Sequence, residues 1–248
     1  MALIVAGKET DRARLVERLN FFDEIGAGFL SRDEMRKPAA VPSASPAPVS
    51  PGASGPPDIS KGPGLDALRE RILVCRKCGL AEGRTLAVPG EGNPRAELMF
   101  VGEGPGHDED VQGRPFVGRA GQLLTKIISA MSFDRSEVFI TNIVKCRPPG
   151  NRVPRSDEVE TCAPYLLDQI RAIRPRVIVT LGKSSADFFF PDAPLAMTAL
   201  RGSFRTWNDI PVMPTFHPSY LVRNEGNIGL KKMVWDDMRK VMALLAEK

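Results

Sequence analysis

The 248 residues carry 34 basic and 30 acidic side chains, a net charge of only +4, so bulk charge neither demands nor forbids a nucleic-acid partner. Hydrophobic residues make up 42% of the chain, enough for one good-sized domain, and no apolar run approaches the ~20 residues of a membrane span. The apolar start, Met1 to Gly7, lacks the basic flank and the length of a secretory signal, so a cytoplasmic protein without membrane association is expected.

Residues 9–36 alternate charge with Leu15, Leu19, Phe22, Ile25 and Phe29 at roughly helical spacing. Residues 1–37 therefore read as an amphipathic helical extension, suited to docking or to a protein partner. Residues 38–63 hold eight prolines among Ala, Ser and Gly. That composition cannot bury enough apolar surface to offset chain entropy and predicts a disordered linker. The folded domain is expected over 64–248. It opens with a helix over 65–74 that delivers Cys75 and Cys78. The apolar run 98–101 predicts a buried strand stopping at Gly102, followed by the Gly-rich, acid-rich loop 102–117, with no helix before about Gly118. A helix over 119–131 precedes a β-branched strand, 138–144, and a turn over 145–152. Ser156 is the expected N-cap of a helix carrying Cys162. A strand at 177–182, a short helix from Ser184, a strand at 212–216 ending in His217, and a last helix from about Gly229 complete the chain. Strand and helix alternate throughout, which predicts a three-layer α/β/α sandwich with a mostly parallel central sheet. In such a sheet the polar loops after the strands fall on one edge.

Four cysteines occur: Cys75-x-x-Cys78, then Cys146 and Cys162, each near the end of an element. In a reducing compartment this points to metal or catalysis rather than disulfides, and the spacing leaves zinc and an iron–sulfur cluster both open. Gly102-Glu-Gly-Pro-Gly106 is not a dinucleotide fingerprint, because Pro105 interrupts it and no helix is expected at its glycines. Gly182-Lys-Ser184 is not a phosphate loop, because Val177 stands where its first glycine belongs. Asn142, at the end of an apolar strand, carries a donor and an acceptor that can pair with a base edge. Phe116, between Pro115 and Gly118 in a polar loop, is placed to stack on a ring. Arg114, Arg119, Arg147, Arg152, Arg155 and Arg223 lie on or beside the same loops, which suits a phosphate backbone.

Taken together, Gly102-Glu-Gly-Pro-Gly106, Gly113-Arg-Pro-Phe-Val-Gly118, Thr141-Asn-Ile-Val-Lys-Cys146 and His217-Pro-Ser-Tyr220 resemble family 4 uracil-DNA glycosylase, the iron–sulfur class. The resemblance spans roughly residues 65–247. It implies a uracil-DNA glycosylase-like fold and a monomer that flips deoxyuridine out of double- or single-stranded DNA and hydrolyses its glycosidic bond. By the same resemblance Cys75, Cys78, Cys146 and Cys162 hold a [4Fe–4S] cluster of structural purpose. Glu103 and His217 take the catalytic roles, Gly104, Phe116 and Asn142 bind the base, and Arg114, Arg152, Ser219 and Arg223 contact DNA. His107 departs from relatives, which often carry an acid there. The basic insertion of a related group that traps uracil covalently is absent, so turnover is expected. Two competing classes make different demands on the sequence. A hydrolase or transferase of phosphorylated nucleotides would need a phosphate-dedicated loop, and a non-catalytic DNA-binding module would show a degraded Asn142 or His217.

Overall fold

The computed structural model describes residues 64–193 and 196–247. The expected helical extension and linker, 1–37 and 38–63, lie outside these residues. Six strands form one sheet: β1 (Glu91–Gly92), β2 (Leu98–Gly102), β3 (Phe139–Asn142), β4 (Val177–Leu181), β5 (Arg205–Trp207) and β6 (Ile210–Thr215). Their spatial order is β1-β3-β2-β4-β6-β5. The four central strands are parallel, whereas β1 and β5 pair antiparallel at the two edges.

Nine α-helices are described: α1 (Leu65–Leu73), α2 (Leu80–Gly83), α3 (His107–Gln112), α4 (Arg119–Ala130), α5 (Ser156–Ile173), α6 (Lys183–Phe189), α7 (Met197–Leu200), α8 (Pro218–Arg223) and α9 (Ile228–Ala246), with one short 3-10 helix at Pro149–Asn151. Side chains alternate across a strand, and here each face meets its own core. Leu98 and Phe100 of β2, with Val177, Val179 and Leu181 of β4, pack against Leu124 and Ile128 of α4 and Val234 and Met238 of α9. Met99, Val101 and Ile178 face the other way, onto Leu68 and Ile72 of α1 and Leu166 and Ile170 of α5. Both faces of the central strands are buried, which is why those strands read as continuous apolar runs. The expected sandwich and its parallel sheet are present.

Three local readings need correction. A helix does begin directly after Gly106: α3 forms because Glu109 reaches back to the Gly106 N–H (3.1 Å) and Gly113 closes the other end at φ 67°. Its six residues carry almost no apolar periodicity, so nothing in the pattern announced it. The N-cap of α5 is Arg155 rather than Ser156, since Glu158 accepts the Arg155 N–H at 2.8 Å. The edge strands β1 and β5 add to the expected strands and, at two and three residues, are too short to leave an apolar pattern. Among the described residues no helix is long and apolar enough to cross a membrane.

Candidate active site

The parallel register places Gly102 beside Asn142, and Leu181 beside Thr215, so the chain leaves four neighbouring strands along one edge. The segments that follow enclose a cavity of about 430 Å3, within the ~300–1,000 Å3 of small-molecule sites. Glu103, Gly104, Phe116, Asn142, Arg152, His217, Ser219 and Arg223 all line it. Three separate loop tips thus meet in one slot. Arg114 does not join them. Its guanidinium lies 2.8 Å from Glu91, and that ion pair ties it to the edge strand β1. Of the other arginines, Arg119 faces Glu225 at 3.9 Å, Arg147 reaches His107 and Asn151, and Arg155 pairs with Asp157 and Glu158. The expected convergence of six arginines reduces to two, Arg152 and Arg223.

Asn142 ends β3 with 1% of its surface exposed. Its Oδ1 is buried and has no hydrogen-bond partner among the described residues. A buried polar atom left unpaired costs about 1–3 kcal/mol, so such an atom at a cavity wall is a place made for a ligand's donor. Room for it exists because its neighbour is glycine: a Cβ on Gly102 would stand 2.4 Å from Asn142 Oδ1 and 2.6 Å from Phe116 Cζ. The Phe116 ring lies 5.7 Å from that of His217, tilted by 33°. Phe116 sits at φ 52°, a conformation that costs a non-glycine residue about 1–2 kcal/mol. The surroundings impose it from both sides. Glu109 Oε1 accepts the N–H groups of Val117 (2.8 Å) and Gly118 (3.0 Å), while Arg135, itself held by Glu91 at 2.7 Å, donates to the Pro115 carbonyl.

His217 caps α8. Its Nδ1 accepts the Ser219 N–H at 3.0 Å, which leaves the ring proton on Nε2. Burial, assisted by the Arg223 charge, lowers His217 to about 4, so the ring is neutral at physiological pH. A neutral imidazole fixed in this tautomer is a hydrogen-bond donor rather than a cation. The backbone behind it is also glycine: a Cβ on Gly182, at φ 90°, would meet His217 Cβ at 2.9 Å. Glu103 lies across the slot and accepts the Ser184 hydroxyl. Arg152 forks onto Glu158 at 2.7 and 2.8 Å, and that contact holds the nearly buried Glu158 carboxyl down at about 2. The loop offers few free backbone donors. Pro105 has none and that of Gly106 goes to Glu109, so only Glu103 and Gly104 could offer an N–H to a ligand.

The four cysteines also converge. Cys75, Cys78, Cys146 and Cys162 line one enclosed cavity of about 10 Å3 between the end of α1, the loop after β3 and helix α5. Burial pushes the Cys146 thiol up and the Cys162 thiol to about 11, so neither ionises without a bound cation. Donors are aimed at their sulfurs: Arg84 Nη1 stands 2.9 Å from Cys146 Sγ, and the Lys145 N–H 3.3 Å from Cys162 Sγ. Among the described residues no three His, Cys, Asp or Glu side chains are grouped tightly enough to hold a single metal ion.

Lys145, Ser184 and Glu109 were absent from the sequence-predicted site. Glu109 had a readable signal, an acid three residues after a glycine at a loop–helix junction. Ser184 and Lys145 act through partners distant in sequence. Lys145 is 1% exposed, and burial, offset in part by the Cys162 thiol, draws its amine down to about 7.

Comparison with known proteins bears on this arrangement. The family model described as uracil DNA glycosylase superfamily matches residues 89–239. A protein named type-4 uracil-DNA glycosylase from Saccharolobus solfataricus is 46% identical over 192 residues, 74% of this chain and 88% of that protein. Its namesake from Sulfurisphaera tokodaii is 46% identical over 188 residues, 73% and 84% of the respective chains. Another, from Thermotoga maritima, is 44% identical over 185 residues, 74% and 96% of each.

Proposed function

The chain belongs to the uracil DNA glycosylase superfamily, and from that premise we propose that it excises uracil from DNA by hydrolysing the N-glycosidic bond, leaving an abasic site. The observation that carries the residue assignment is the buried, unpaired Asn142 Oδ1 in a slot walled by Phe116 and His217. A uracil inside the duplex is out of reach and must be turned out at a cost of a few kcal/mol. Stacking on Phe116, about 1–3 kcal/mol per base, offsets part of that cost. Asn142 then reads the edge. Uracil offers a donor at N3 and an acceptor at O4, matching the amide's acceptor and donor. Cytosine presents the reverse pattern and would leave both groups unpaired in a dry site.

As the bond lengthens, negative charge gathers on the base and positive charge on the sugar. His217, neutral with its proton on Nε2, donates to the departing base in the manner of an oxyanion hole, without a full charge that would need neutralising. Glu103, held by the Ser184 hydroxyl, stabilises the cationic sugar or orients the attacking water. Gly104 lines the slot where only a backbone can approach. Arg152, Ser219 and Arg223 on the rim meet the phosphates, and α8 supports the gap left by the flipped nucleotide.

A [4Fe–4S] cluster fits the cysteine cavity: four thiols, two of them with N–H donors at the sulfur, spaced too widely for one ion. Cys75, Cys78, Cys146 and Cys162 would hold it, and it would cross-link α1, the loop after β3 and α5. The protein works as a cytoplasmic monomer, with residues 1–37 available to a protein partner and the catalytic domain beginning near residue 64. The deciding experiment offers anaerobically purified protein a single uracil in an oligonucleotide, followed by alkali. Strand cleavage at the uracil alone is expected, together with an iron absorption band. An intact strand, with the fold verified, would favour a binding module that lacks catalysis.

A further inference from the structure

The largest buried polar group outside the proposed chemistry is Lys145, three residues beyond Asn142. Its Nζ lies 2.7 Å from each of three acceptors: Thr141 Oγ1, the Asn142 backbone carbonyl and Gln169 Oε1. Three acceptors around one nitrogen fix it in all directions. No carboxylate is among those partners. Gln169 is anchored in turn on the Pro89 carbonyl, and Thr141 is the residue immediately before Asn142 in β3. The backbone N–H of the same lysine donates to Cys162 Sγ.

A buried lysine is costly unless something is gained by it, and a methionine would fill this space without desolvating an amine. What the nitrogen grips is the last peptide of β3, the one from which the Asn142 amide projects into the slot. β3 stops there: Asn142 is its final residue, and the Asn142–Ile143 peptide is held on its N–H side by the Gly102 carbonyl of β2 at 2.9 Å. On its C=O side the hold is the Lys145 amine, so a side chain fixes the half of the peptide that β2 does not. We propose that Lys145 is the positioning residue that sets the angle of the Asn142 amide, bracing it from the side of the cysteine cavity. The inference rests on the assignment of Asn142 as the base reader.

The test compares Lys145→Met with Asn142→Ala in anaerobically purified full-length protein. Misplacing a reacting group by about 1 Å costs on the order of 100-fold, so Lys145→Met should slow single-turnover excision at saturating enzyme by about that factor. Inhibition by free uracil should weaken in parallel. Affinity for uracil-free duplex and the visible iron spectrum should stay at their parental values. A lysine that only stabilises the fold would lower the melting temperature while leaving saturated excision and uracil inhibition unchanged, which would overturn the inference. If Lys145→Met does not fold, the isosteric Thr141→Val removes one of the three acceptors. Several-fold weaker uracil inhibition at unchanged DNA affinity then supports the role, and unchanged inhibition refutes it. Parental excision by Asn142→Ala would remove the reading of the slot itself. A crippled Asn142→Ala beside a fully active Lys145→Met removes only the part given to Lys145.

Discussion

The slot and the cysteine cavity lie at the two ends of one short segment, Asn142 to Cys146, yet they are finished in opposite ways. The slot is about 430 Å3 and keeps a buried acceptor, Asn142 Oδ1, without a partner. The cysteine cavity is about 10 Å3, and N–H donors already point at two of its sulfurs, those of Cys146 and Cys162. Unpaired polar atoms cost stability and are tolerated where a transient ligand will satisfy them, whereas satisfied ones mark a permanent structure. The difference matches the proposed division, turnover in the slot and architecture at the cysteine end, and it can be attacked experimentally.

Asn142→Ala and His217→Ala should have the largest effect. Removing one donor of an oxyanion-hole type site costs about 100- to 1,000-fold, and single-turnover excision should fall by that much while the melting temperature and iron content hold. Normal cleavage by either variant would break its assignment to the slot. Cys162→Ala should do the opposite: lose iron and visible absorbance, and melt at least about 5 °C lower, a shift that about 1–2 kcal/mol produces in a domain of this size. Whatever fraction stays folded should still excise uracil, and a folded, iron-free and inactive Cys162→Ala would give the cysteine end a share in the chemistry. On the rim, Arg223→Ala should weaken DNA binding and flatten its salt dependence by about one counterion. Arg114→Ala, whose guanidinium is occupied by Glu91, should change neither; a matching loss would put DNA over the β1 edge as well.

The smallest effect expected is on the pH profile. His217 titrates at about 4 when folded, against 6.5 ordinarily, because burial disfavours its cation. Excision should show no inflection near 6.5 belonging to this residue. Between about 6.5 and 4 the unfolded chain binds a proton that the folded protein refuses, so stability declines as pH falls through that window. His217→Gln should remove that part of the decline, and thermal melts across the window would reveal it. A step near 6.5 in the parental rate that vanishes in His217→Gln would show instead that the ring is solvated and ordinary.

The four parallel strands were legible because burial on both faces makes each a continuous apolar run. Their tips were legible because polar residues in such positions have no structural excuse. Asn142 is the clearest case, since an amide closing the run Phe139-Ile-Thr has to find a partner somewhere. Helix α3 was not legible. Asp108, Glu109 and Asp110 show no helical stripe, and the helix exists because the Glu109 carboxylate gathers N–H groups from three residues. Arg114 was misplaced for a related reason: its partner Glu91 lies 23 residues earlier, on a strand too short to predict. Ser184 stayed hidden because its partner Glu103 is 81 residues away, and Lys145 because its burial against Gln169, 24 residues away, turns its amine back onto Thr141 and Asn142. Pairings of that range come from the sheet order, and no local pattern encodes them.

The two glycines behind the slot constrain how this enzyme could change. A methyl group at position 102 would collide with both Asn142 and Phe116, and one at 182 with the stem of His217. Neither wall can thicken by a single carbon, and neither has a side chain that could be shortened to make room. Lineages or engineers seeking a different base must therefore exchange the reading groups themselves, which makes a change of substrate an abrupt step rather than a gradual one.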